Sequence, residues 1–112
     1  MTEPKPLQNA DTAIACAHVA GCTLAAFFRR WCRSGEVRYA RRLFVAAMSH
    51  QGLSLQDVAE AGGWKDNESV RHIRDSYQLE CRDSKKYRAQ FEKDVVLAIA
   101  TSRKVTKKGG KL

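Results

Sequence analysis

The chain has 112 residues, of which 44% are hydrophobic and only two are prolines. This length corresponds to one ordinary domain that can bury a core without disulfides or structural metals, and the composition is not that of a disordered chain. Twenty lysines and arginines against twelve acids give a formal net charge of +8, which favours an anionic partner.

Four cysteines occur at positions 16, 22, 32 and 81, without a Cys-x-x-Cys pair or the histidine spacing of a zinc finger. We therefore expect structural thiols, no metal site and no cofactor. The N-terminus has no signal-peptide pattern, and the apolar run 13–28 is short for a membrane span and contains His18 and Gly21. These features predict a cytoplasmic protein without a membrane partner.

The first third of the chain predicts an arm and one long helix. Residues 1–9 contain both prolines and no periodicity, so we expect a disordered arm. Asp11 or Thr12 can cap a helix that runs to about Arg33 and ends at residues 34–35. Its apolar positions cover more than one stripe, which indicates a largely buried helix.

Two further helices are expected before the middle of the chain. Apolar residues recur at three- and four-residue spacing over 37–51, and Gly52 ends that pattern. Ser54 caps a third, short helix, which ends at the glycine pair 62–63. Residues 35–39 (GEVRY) are the one candidate for a short strand.

The fourth and last helices are also marked by capping residues. Asp66 or Asn67 begins the fourth helix, and Asp83 or Ser84 begins a last helix that runs to about Arg103. The apolar side of the fourth helix is predicted to consist of Val70, Ile73 and Tyr77.

The predicted architecture is all-α, with about five helices and no internal repeat. Residues 10–103 form a single helical domain, and residues 104–112 form a basic, disordered tail. Residues 54–77 have the outline of a helix-turn-helix, because a short amphipathic helix, a glycine turn and a second helix rich in basic side chains follow one another. In a chain of this charge, that outline points to DNA.

The helix-turn-helix has a specific resemblance. The residues Val58-Ala59, Gly63-Trp64, Asp66 and Val70 match the pattern V-A-x-x-x-G-F-x-D-x-S-x-F over about twenty residues. This pattern resembles the second helix-turn-helix of AraC-type regulators. The resemblance implies that residues 67–77 form the helix that lies in the major groove. The residues then expected to contact bases are Ser69, Arg71, His72 and Arg74.

A second group of basic residues is expected to grip the DNA backbone. Six arginines fall within residues 29–42, and Glu36 is the only acid between Asp11 and Asp57. Arginine makes forked contacts with phosphate, so this cluster suits a DNA strand. The predicted phosphate contacts are Arg29, Arg30, Arg33, Arg38, Arg41, Arg42, Lys65, Lys107 and Lys108.

The region 38–77 also resembles the end of a tyrosine recombinase (phage integrase) catalytic domain. That family runs H-x-x-R-[HR]-T-F, then a glycine, then a His or Trp twelve residues later, then a nucleophilic tyrosine. Here the residues 41–44 (RRLF) precede Gly52, Trp64 stands twelve residues past that glycine, and Tyr77 follows.

This chain departs from the recombinase pattern at the positions that carry the chemistry. Arg38 replaces the family's histidine, and Tyr77 lies thirteen residues past Trp64, where the family places its nucleophile nearer nine. A second catalytic arginine is missing, although attack on a phosphodiester needs two guanidiniums to stabilise the transition state. We therefore expect no enzyme and assign no catalytic residue.

The resulting expectation is a sequence-specific regulator of transcription that binds double-stranded DNA and belongs to a plasmid, phage or other mobile element. It should form a homodimer, because paired half-sites supply affinity that a single helix-turn-helix lacks. Apolar surface on the first and last helices is the expected dimer contact. The alternatives are a recombinase-related accessory DNA-binding protein and a helical protein–protein adaptor. No small-molecule substrate is evident.

Overall fold

The computed structural model describes residues 9–29, 32 and 34–109. Within these residues the chain forms six helices and no strand. The helices are α1 (Asn9–Ala20), α2 (Leu24–Phe28), α3 (Gly35–His50), α4 (Leu55–Gly62), α5 (Asn67–Asp83) and α6 (Lys85–Lys107). The all-α class is therefore confirmed. Of the arm predicted at 1–9, only Asn9 lies within the described residues, and it begins α1.

The prediction of a single long first helix is wrong. Two helices, α1 and α2, occupy this region, which is why the fold has six helices and not five. Gly21 adopts a left-handed φ of +85°, which ends α1 at Ala20. The Thr23 hydroxyl then accepts a hydrogen bond from the backbone N–H of Ala26 at 3.1 Å and starts α2. The helix predicted to reach Arg33 therefore becomes two helices, the second of which ends at Phe28.

The strand candidate at 35–39 is also wrong, because these residues form the first turns of α3. Ser34, which was expected to end a helix, begins one: its hydroxyl accepts a hydrogen bond from the Val37 N–H at 3.3 Å. A serine cap decides the conformation of the following turn more strongly than the β-branched and aromatic residues within it.

The first-helix cap predicted at Asp11 or Thr12 is wrong, because α1 begins at Asn9 and both residues lie within it. The starts predicted for the helices that became α4, α5 and α6 are confirmed. The side chains of Ser54, Asp66 and Ser84 accept the capping hydrogen bonds of α4, α5 and α6. Gly63, with φ of +76°, ends α4 in the left-handed conformation. Two helices are longer than expected: α5 continues past Tyr77 to Asp83, and α6 continues past Arg103 to Lys107, so residues 104–107 of the predicted tail are helical.

Helix α3 forms the centre of the fold, and all the other helices pack against it. It buries Val37, Ala40, Leu43, Phe44, Val45, Ala47 and Met48. α1 packs along α3 and α6, and a buried hydrogen bond of 3.1 Å joins the hydroxyls of Thr12 and Ser102. α4 and α5 pack against each other and against α3. None of the helices in the described part of the chain combines the length and apolar composition that a membrane crossing requires.

Candidate nucleic-acid interface

The connection between α4 and α5 is held tightly to the core. The ring of Trp64 lies against Gly62 and makes edge or tilted contacts with Phe27 and Phe44, at centroid distances of 6.5 and 6.0 Å. Val70 and Tyr77 on α5 are buried, and Ile73 is partly buried against the same core. The apolar side predicted for this helix is therefore confirmed, and the opposite side faces solvent.

An open groove of about 690 Å³ lies between α3 and α5, and we call it the arginine groove. It is lined by Arg38, Arg41 and Arg42 from α3, by Ser69, His72, Ile73 and Ser76 from α5, and by Trp64. Basic, hydroxyl and imidazole groups from two helices thus meet in one concave surface. Such groups are the usual donors to phosphate oxygens.

Arg41 holds the backbone between α2 and α3 in place. Its guanidinium donates to the Phe27 carbonyl from Nε at 3.2 Å and from Nη2 at 3.1 Å. It also donates to the Arg29 carbonyl at 2.7 Å and the Cys32 carbonyl at 3.0 Å. Most of its five N–H donors are therefore engaged by the end of α2 and the segment after it. In the groove, Arg41 supplies positive charge more than it supplies donors.

Arg42 joins α3 to both α5 and α6. Its Nη1 donates to Glu80 Oε1 and to the Tyr87 hydroxyl, both at 2.8 Å, and its Nη2 donates to Ser76 Oγ at 2.6 Å. The guanidinium carbon also lies 5.9 Å from the centroid of the Tyr87 ring. Hydrogen bonds to Glu80 and Tyr87 raise the pKa of Arg42 against the effect of partial burial. Ser76, Glu80 and Tyr87 are partners of Arg42 that the sequence did not reveal.

The other predicted phosphate contacts differ in position. Arg38 is exposed on the first half of α3 and lines the groove, and Lys65 is exposed in the turn between α4 and α5. Arg29 is exposed at the end of α2, and Lys107 and Lys108 are exposed at the end of α6. Arg30 and Arg33 lie outside the described residues. Arg38 is thus the residue of this group that combines exposure with a place in the groove.

The four predicted base contacts do not share one row on α5. Ser69 and His72 line the arginine groove, whereas Arg71 points outward. Arg74 is five residues from Ser69, which at 3.6 residues per turn places it roughly 140° around the helix. Arg74 is also only partly exposed, at 34% of its side chain. Arg71 is two residues from Ser69 and therefore lies roughly 160° around the helix from it. One approach of a duplex can therefore reach Ser69 and His72 more readily than Arg71 or Arg74.

Acidic residues on α5 pair with the predicted contacts. Glu68 lies 3.6 Å from Arg71 and 3.5 Å from His72, and Asp75 lies 3.3 Å from Arg74. Glu68 is three residues from Arg71 and four from His72, and residues at these spacings are neighbours on a helix surface. These two pairs could therefore have been predicted from the sequence. Because the partners are largely exposed, each pair stabilises the fold by only about 0–1 kcal/mol. A phosphate or a base edge can compete with an interaction this weak.

Tyr77 lies away from the arginine groove. Its ring is stacked on Phe91 with a centroid distance of 4.8 Å, and burial raises the pKa of its hydroxyl. Arg41 and Trp64, which carry the recombinase resemblance, line the same groove, whereas Tyr77 lines a second groove between α5 and α6. Tyr77 is buried in the core, apart from the two residues that carry the rest of the recombinase resemblance.

The cysteines are free thiols in the structure. Cys16 is buried, and Cys22, Cys32 and Cys81 are partly buried. Burial raises the pKa of Cys22 and Cys81, which keeps these thiols protonated near neutral pH. Within the described ranges, no group of three His, Cys, Asp or Glu side chains is arranged to hold a metal ion.

Comparison of the chain with protein-family models, with curated proteins and with solved structures finds no match. A function for this chain is therefore inferred from the geometry and charge of the arginine groove and of α5.

Proposed function

We propose that this protein binds double-stranded DNA as a transcriptional regulator of a plasmid, phage or other mobile element. The observation that carries the proposal is the arginine groove, in which Arg38, Arg41 and Arg42 face Ser69, His72 and Ser76. A phosphate in this groove meets three positive charges and several donors. Phosphate contacts fix the register of a protein on a duplex, and side chains on an adjacent helix can then read base edges.

In this proposal the basic residues have two roles: some raise the positive potential of the groove, and others contact the DNA directly. Arg41 and Arg42 are largely engaged within the protein, so in this proposal they raise the potential of the groove. Arg38 and His72 are exposed and supply direct contacts, and Lys65 and Arg29 extend the basic surface at the turn and at the end of α2. Arg71 reaches a base once it leaves Glu68, which costs little for an exposed pair.

We also propose that two copies of the chain bind two half-sites. The outward face of α6 exposes Val96 at 68% and Leu97 at 51%, which is apolar surface that a partner can cover. α1, the other helix expected to contribute, places Ala13, Ala15, Cys16 and Ala17 in the core. The proposed dimer contact is therefore α6 alone.

A recombinase-related accessory role is the second candidate, because Arg41 and Trp64 share the arginine groove as that resemblance implies. It makes the same prediction for DNA binding and differs in chemistry. If Tyr77 acted as a nucleophile, incubation with a nicked duplex would give a covalent protein–DNA adduct that Tyr77→Phe abolishes. We expect no adduct from either protein.

Fluorescence anisotropy with a labelled duplex at about 50 and 200 mM salt tests the main proposal. Arg38→Gln should weaken binding about three- to tenfold at the lower salt and reduce the slope of log affinity against log salt by about one. Arg88→Gln removes the same charge from a site outside the arginine groove and is the matched control. Equal losses in the two variants, or affinity that does not change with salt, would exclude the groove as the DNA site.

A further inference from the structure

A second groove, the apolar groove, lies between the last turns of α5 and the middle of α6, beside the end of α3. Its volume is about 610 Å³. Tyr77, Phe91 and Val95 line it with apolar surface, together with the partly buried thiol of Cys81. DNA binding through the arginine groove makes no use of this site, since Arg38, Arg41 and Arg42 line that groove and Tyr77 lines this one.

The shape of the apolar groove matches a small-ligand site. Ligand pockets of proteins have volumes of about 300–1,000 Å³, mostly apolar walls and a few polar groups that fix orientation. Here the stacked rings of Tyr77 and Phe91, 4.8 Å apart, form a rigid aromatic surface. Val96 at the edge is 68% exposed, so water contacts apolar surface that a ligand would cover.

The charged groups of the lining indicate which charge a ligand of this groove should carry. Arg82, Arg88 and His50 lie around the apolar surface, and Glu92 is the one acid among the lining residues. Arg88 donates to Glu92 at 3.1 Å, and Arg82 lies 3.7 Å from Asp83 outside the groove. These pairs are exposed and weak, so both guanidiniums can turn to a ligand anion. The lining thus combines an apolar surface with an excess of positive charge.

We infer that the apolar groove binds a small amphipathic carboxylate, an acid with an alkyl or aryl body. The body lies on Tyr77, Phe91 and Val95, and the carboxylate lies at the rim within reach of Arg82 and Arg88. The excess of basic groups argues against an ammonium or a neutral ligand as the preferred occupant.

Isothermal titration of the full chain with three matched probes tests the inference: sodium decanoate, decan-1-ol and decylammonium chloride, each below the concentration at which it aggregates. Decanoate should bind at one site, about tenfold more tightly than either of the others, because two exposed guanidiniums each favour the carboxylate modestly. Replacing both, with Arg82→Gln plus Arg88→Gln, should lower decanoate affinity to that of decan-1-ol.

Two further variants separate the groove from the rest of α6. Val95→Trp fills the groove and should abolish decanoate binding, whereas Leu97→Trp, on the exposed face outside the groove, should leave it unchanged. Val96→Glu adds a negative charge at an exposed position of the groove edge, so it should not disturb the core. It should lower the affinity for decanoate more than the affinity for decan-1-ol.

Three results would overturn the inference. They are the absence of saturable decanoate binding, equal affinity for the three probes, and decanoate binding that survives both Val95→Trp and Val96→Glu. Sedimentation of the same proteins identifies a different occupant: a dimer that Val95→Trp dissociates would assign the groove to a second copy of the chain. None of these measurements uses DNA, so they are independent of the proposed function.

Discussion

The ring of Trp64 lies so close to the Cα of Gly62 that position 62 has no room for a side chain. A Cβ at this position would overlap the six-membered ring, which also contacts Phe27 and Phe44. Gly62→Ala must therefore displace Trp64 and the turn that leads into α5. We expect a loss of about 1–3 kcal/mol in the free energy of unfolding, measured by urea denaturation.

Gly35→Ala is the matched control for this substitution. A Cβ at Gly35 meets no atom within 4 Å, and alanine favours the helical conformation that this residue already has. Its free energy of unfolding should therefore stay the same or rise slightly. Equal destabilisation by the two variants would contradict the close contact between Gly62 and Trp64.

Local signals in the sequence were sufficient to predict where α4, α5 and α6 begin. Ser54, Asp66 and Ser84 cap helices because their side chains accept bonds from N–H groups only three residues away. The division at Gly21 was missed because a single glycine in an apolar run is also compatible with a continuous helix. Its left-handed conformation ends α1, and the Thr23 cap starts α2.

The site was harder to predict because its bonds join residues far apart in the chain. Arg41 lies fourteen residues from Phe27, and Arg42 lies thirty-eight residues from Glu80. Charge clustering drew attention to both arginines, yet only the packing of α2, α5 and α6 against α3 shows which groups they contact. Composition therefore predicted a basic surface but not which of its arginines hold the fold together.

Substitutions of Arg41 and Arg38 should affect different properties of the protein, the first its stability and the second its binding to DNA. Arg41→Gln removes the donors to the carbonyls of Phe27, Arg29 and Cys32 and should lower the free energy of unfolding by about 1–3 kcal/mol. Arg38→Gln changes an exposed side chain and should alter stability by less than about 0.5 kcal/mol. Urea denaturation of both variants checks this, and a larger loss in Arg38→Gln would reverse the assignment.

Glu68 should act against DNA binding in the wild-type protein. Its carboxylate lies near both Arg71 and His72, and a phosphate brought to this face is repelled by it. Glu68→Gln should raise affinity for duplex DNA about two- to fivefold at low salt, since it removes one repulsive charge near the surface. Glu60→Gln on α4 removes the same charge elsewhere, and an equal gain in that variant would show a general effect of net charge.

Stability should fall at alkaline pH, with Tyr39 as one cause. Its hydroxyl donates to Asp94 Oδ2 at 2.6 Å, and burial together with Asp94 raises its pKa above the usual value of 10. The folded state then holds the phenolic proton more tightly than the unfolded state. The resulting contribution to stability is fully present below about pH 10 and is lost as the pH rises further.

Tyr39→Phe removes this linkage and tests its sign. Its free energy of unfolding should be about 1 kcal/mol lower at neutral pH, where the hydrogen bond is lost, and should decline less steeply above pH 10. Burial also raises the pKa of Tyr77 and Tyr87, so a shallower decline should remain. Urea denaturation at several pH values measures both slopes, and a steeper decline in Tyr39→Phe would contradict the linkage.

Retention of fragmented genomic DNA, followed by sequencing at low and moderate salt, tests DNA recognition most directly. The wild-type protein should retain DNA at both salt concentrations and enrich one palindromic site. Arg71→Ala should lower affinity for that site by about 1–3 kcal/mol and relax one base position. Failure to retain DNA even at the lower salt would contradict the proposed function, and retention without an enriched site would contradict sequence-specific recognition.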